Sequence, residues 1–166
     1  MEKKAGIWIS AILYFALGVV ILTIVLATTL PIIEQLKNKN VIVQTKNLMS
    51  DLDENIRAVY SEGPGSQRTV EITINRGDFI IEDNSISFNL ESKFQESETD
   101  IPIQSGYLTI LTTATSQEDI FNVELKLNYS AIIILESDIS QISGSKTLIT
   151  KNKGGDDKPT IEITEI

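Results

Sequence analysis

The chain has 166 residues and a formal charge of -9 from 14 basic and 23 acidic side chains, which is room for one ordinary domain and an appendage but not for two large domains. That acidity repels the phosphate backbone on which nucleic-acid affinity depends, so no nucleic-acid partner is expected. With no histidine and no cysteine there is no imidazole base, thiol nucleophile, imidazole or thiolate metal site, or disulfide. The expectation is therefore no enzyme, cofactor or metal centre, and a fold held by its core.

Met1-Glu2-Lys3-Lys4 opens the chain, and no charged residue occurs between Ala5 and Ile33. A helix needs about 20 residues to cross a hydrocarbon core of about 30 Å, so this run spans with residues to spare. A cleaved secretory signal would have an apolar stretch of only about 7–15 residues ending in a small-residue cleavage site. Ala27-Thr28-Thr29 is a poor version of that site, so residues 7–33 read as a retained transmembrane helix in contact with membrane lipid. Lys3 and Lys4 favour a cytoplasmic amino end under the positive-inside bias, leaving the rest of the chain extracellular, although Lys37 and Lys39 reduce the asymmetry. Trp8 and Tyr14 suit the interface or simple lipid contact, and Gly18 has the bulky Tyr14 and Leu22 four residues away, so it forms no small-residue packing pair.

Residues 34–62 continue as an amphipathic helical stalk. Leu48, Leu52, Ile56 and Val59 recur at helical spacing and predict a packed stripe, with Asp51, Asp53, Glu54 and Arg57 mostly off it. The β-branched Val41–Val43 weakens the helix locally without ending it, whereas Gly63-Pro64-Gly65 stops it.

Residues 66–166 then read as a β domain of six or seven strands. Arg68 to Asn75 alternates Val70, Ile72 and Ile74 against Thr69, Glu71 and Thr73. Asp78–Glu82 and Ser85–Glu91 flank a predicted hairpin turn at Asp83-Asn84, two residues that tolerate left-handed backbone angles. Further strands are expected over 107–115, 121–129, 131–136 and 160–166, with 137–158 polar, 153–159 as a loop tip, and the last strand beside the one that precedes this polar run. Short strands without crossover helices predict an antiparallel sheet or β-sandwich, and the fold class is α+β.

A basic stub, the small pair Ala5-Gly6, an immediate apolar helix, an amphipathic extension and a distal β domain together resemble the archaeal type IV pilin-like and archaellin-like proteins. The stretch from Ile56 to Val70 is similar to the helix-to-sheet junction of membrane-anchored members of that group. The resemblance implies a pilin-like fold and cutting of residues 1–6, the basic leader, by a prepilin-type peptidase at the Gly6–Ile7 bond. It also implies association through the amino-terminal helix with copies of the chain or other pilin-like subunits in a cell-surface filament. Bacterial members carry a glutamate five residues into the mature chain, where this one has Ala11. The alternative is a permanently anchored domain that binds a glycan or envelope protein without polymerising.

Other motifs are slight. Asp156-Asp157 supplies too few oxygens for calcium and reads as a solvated turn. Glu96, Glu98 and Asp100 alternate, which on a strand would gather them on one face, though a solvated edge or loop is the simpler reading. Ser143 and Lys146 lie three apart in a stretch expected to be a turn, with no catalytic motif around them. Asn128-Tyr129-Ser130 is an Asn-x-Ser sequon, which makes Asn128 a candidate glycosylation site on an outward-facing domain.

Overall fold

One helix and eight strands follow in chain order: α1 (Glu2–Glu62), β1 (Gln67–Glu82), β2 (Ser85–Ser92), β3 (Ile103–Ser105), β4 (Leu108–Ala114), β5 (Phe121–Asn128), β6 (Ile134–Ser137), β7 (Gln141–Gly154) and β8 (Thr160–Glu165). The structure, a computed structural model, describes residues 2–82, 84–117 and 119–166, without the side chains of residues 2–7, Ile9 and Pro31. The chain separates into two units, Met1–Lys37 and Asn38–Ile166. The first is α-helical, and every described side chain in it from Ser10 onward is exposed.

In the second unit the helix buries a stripe. Asn38, Ile42, Thr45, Met49, Leu52, Ile56 and Val59 are buried, at alternating spacings of four and three that keep one side of a 3.6-residue helix turned to the core. The expected stripe thus includes Leu52, Ile56 and Val59, but Leu48 is only partly buried and Met49 takes the interior place. Asp53, expected off the stripe, is also buried. The helix ends at Gly63, whose φ of 91° is the left-handed conformation that glycine adopts without steric cost.

β1 then runs back along the helix. Ser66 Oγ donates to the Val59 carbonyl at 2.8 Å, and Arg76 Nη1 donates to Asn38 Oδ1 at 2.6 Å. From Asn38 to Val59 a helix rises about 32 Å and from Ser66 to Arg76 a strand rises about 33 Å, so the two elements match in length. The strands form one eight-stranded sheet in the order β3-β4-β5-β2-β1-β7-β8-β6, antiparallel except for the parallel pair β6–β8. Its inward residues, among them Ile72, Phe79, Phe88, Leu125, Leu148 and Ile161, share one core with the helical stripe.

Several sequence expectations change. The segments 68–75 and 78–82 are parts of one strand, β1, with a register irregularity between Ile74 and Phe79. Gly77 sits in it at φ 91°, where an added Cβ would lie 2.5 Å from the Phe88 ring. The polar run 137–158 is not a connection: β7 occupies 141–154 and pairs with both β1 and β8. Ser143 to Lys146 is therefore strand rather than turn, though Gly144 at φ 71° marks the same irregularity from its other side. The strand expected at 131–136 begins at Ile134 after a turn, and the short edge strand β3 was not anticipated. The last strand does lie beside β6, in parallel, and Asn84 has the expected positive φ of 64°, while Asp83 lies outside the described residues.

Candidate functional site

The first unit presents a helix that is long and apolar enough to cross a membrane. Its large side chains, from Trp8 and Ile12 through Val25 and Leu26 to Ile33, are exposed all round rather than on one stripe. Burying one such side chain is favourable by about 1.5–3 kcal/mol, so more than a dozen left uncovered favour removal of this segment from water. Its threonines fit such a setting. Thr23 Oγ1 donates to the Val19 carbonyl at 2.8 Å, and Thr28 and Thr29 donate to the Val25 carbonyl at 3.0 and 2.7 Å, so these hydroxyls are satisfied without water. Gly6 and Ile7 lie within α1, but the side chains of Ile7, Lys3 and Lys4 are outside those described.

In the second unit, Asp53 gathers partners from distant parts of the chain. Arg57 Nε donates to both its carboxylate oxygens at 3.0 and 2.8 Å, and the Tyr129 hydroxyl donates to Oδ1 at 2.9 Å. Arg57 in turn lies over the Tyr107 ring, 3.3 Å from its centroid. Burial pushes the Tyr129 hydroxyl well above the usual phenol range, and the charge and hydrogen bond of Asp53 push it further. The cluster ties the helix to the β3–β4 turn and to the end of β5. The cluster is not legible in the sequence because Asp53 and Tyr129 are 76 residues apart; only the Asp53–Arg57 spacing of four is a local pattern.

Tyr129 is the central residue of the sequon. Asn128, at the end of β5, is exposed, and its Oδ1 accepts from Ser130 N at 3.0 Å and Ser130 Oγ at 2.7 Å, a turn closed by an asparagine side chain. Tyr129 itself is 2% exposed.

The remaining candidates are dispersed. Glu96, Glu98 and Asp100 lie in the loop between β2 and β3, not on a strand face, and Glu96 is ion-paired with Lys46. Asp156 and Asp157 are exposed in the β7–β8 loop. Lys146 is ion-paired with Glu165. Among the described residues no cluster of three acidic side chains is placed to hold a metal ion. An open cleft of about 410 Å³ between α1 and β1 is lined by amides (Gln44, Asn47), carboxylates (Asp51, Glu71), the apolar Leu48 and Val70, and one hydroxyl, that of Thr73, which is hydrogen-bonded to Ser145 Oγ at 2.7 Å.

The chain matches no protein-family model, no curated protein and no solved structure.

Proposed function

We propose that the chain is a structural, pilin-like surface subunit, held in the membrane by residues 7–33 with its carboxy-terminal domain outside. The observation that carries this is the uncovered apolar helix of the first unit, followed directly by a domain with its own core. Lipid and a bundle of identical helices both keep such a helix from water, so the same segment serves as an anchor and as the core of a filament. Removal of the leader after Gly6 takes away Lys3 and Lys4, the charges that hold the amino end at the inner interface.

Amino-terminal sequencing of protein from the membrane fraction and from sheared cell surfaces tests this. The expected result is a chain beginning at Ile7 in both fractions. A soluble mature chain lacking residues 7–33 overturns it. Ala11, standing where the bacterial pilin pattern has a glutamate, favours as second reading a permanent anchor displaying a binding domain. That reading expects Lys3 and Lys4 retained and no chain in the sheared fraction.

A further inference from the structure

We propose that Asn128 is an asparagine-glycosylation site that is filled on the unfolded chain, and that closure of the sheet removes it as a substrate. This rests on the reading above that the carboxy-terminal domain is delivered outside the membrane.

A sequon specifies a hydroxyl two residues after the asparagine because the transferase must contact both, so Asn128, Tyr129 and Ser130 have to be presented together in its site. Folding withdraws all three from such a presentation. Both donors of Ser130 are spent on Asn128 Oδ1 at 3.0 and 2.7 Å, and the Ser130 carbonyl accepts from Lys158 Nζ at 2.7 Å. The Tyr129 ring is in the core with its hydroxyl on Asp53. Its backbone is held as well: Tyr129 N donates to the Asn84 carbonyl at 2.8 Å, and its own carbonyl accepts from the amides of Ile132 and Ile133 at 2.9 and 3.1 Å. Drawing the triplet into an enzyme requires the Tyr129 ring to leave the core and the end of β5 to open.

The finished modification is nonetheless compatible with the fold. Asn128 is exposed, and its turn uses Oδ1 alone; Nδ2 has no hydrogen-bond partner among the described residues. In the transfer, Nδ2 bonds to the anomeric carbon of a glycan carried on a lipid phosphate. The carbon–oxygen bond to the phosphate breaks, the phosphate leaves with the electron pair, and one Nδ2 proton passes to a carboxylate of the transferase. The product keeps Oδ1 and one N–H, so the same turn forms around a modified asparagine.

The test synthesises the full chain in a cell-free system with vesicles that carry an asparagine oligosaccharyltransferase. Its lipid-linked glycan donor is supplied either during synthesis or after folding, and a synthetic peptide of residues 124–132 reports enzyme activity in both schedules. Glycopeptide mass spectrometry is expected to find Asn128 occupied in the first schedule and about tenfold or more less occupied in the second, as for a site that requires local opening. Ser130→Ala is expected to be empty in both. Equal occupancy in the two schedules overturns the proposal, as does an empty Asn128 in an embedded, vesicle-enclosed chain while the peptide is modified. Carbonate extraction and protease shielding of the same sample report the anchor separately: a chain released by carbonate overturns the membrane reading and this proposal with it.

Discussion

Asp53 sits where a charge is expensive to bury, and its neighbours explain how it is tolerated: one guanidinium and one phenol hydroxyl occupy its oxygens. Tyr129→Phe keeps the ring in the core and removes only the hydroxyl. The expected loss is about 1–2 kcal/mol of stability, measured by urea unfolding of the detergent-solubilised chain. The same hydroxyl makes stability depend on alkaline pH. Its folded pKa lies above the unfolded value of about 10, so the folded state holds this proton more tightly. The contribution is complete below about pH 10 and is lost as pH rises beyond it, and Tyr129→Phe should unfold with a shallower dependence on pH in that window. The sequon was legible residue by residue, since Asn-x-Ser is a local pattern. Its locking was not, because Asp53, Asn84 and Lys158 reach it from three other parts of the chain.

Among the elements, the helix and most strands were legible because their apolar residues keep the period of the structure they form. Val70, Ile72 and Ile74 mark β1 in this way, and Val123, Leu125 and Leu127 mark β5. β7 was not legible for a physical reason. Between Ile142 and Leu148 it has no apolar residue, and its inward positions Thr150 and Asn152 are polar. Both are satisfied by the main chain: Thr150 Oγ1 donates to the Arg68 carbonyl at 3.2 Å and Asn152 Nδ2 to the Val59 carbonyl at 3.1 Å. A strand whose inner face makes hydrogen bonds in place of apolar contacts leaves no alternation to read. The helix carries the clearer contrast for measurement. Leu52→Ala, within the buried stripe, is expected to cost about 2–5 kcal/mol, whereas Asn47→Ala on the exposed side should stay within about 0.5 kcal/mol, both by urea unfolding.

For the whole molecule, the division at residues 37 and 38 separates two solvent problems: one segment has apolar side chains with no cover of its own, the other closes a core with its own residues. A lysine in place of Val20, in the middle of the apolar run, should disfavour insertion by about 2.5–3.5 kcal/mol. The readout is the fraction of chain that resists carbonate extraction, expected to fall for Val20→Lys and to remain unchanged for Asn47→Ala. The hairpin-like return of β1 along the helix also determines how the domain bears traction. A pull on Asn38 directed along the helix axis works to slide the helix lengthwise past β1 instead of peeling it away. The Arg76–Asn38 bond, the shared apolar core and the Ser66 and Asn152 hydrogen bonds to the Val59 carbonyl then share the load together. Contacts loaded side by side must give way together, whereas a peeling load breaks them one after another.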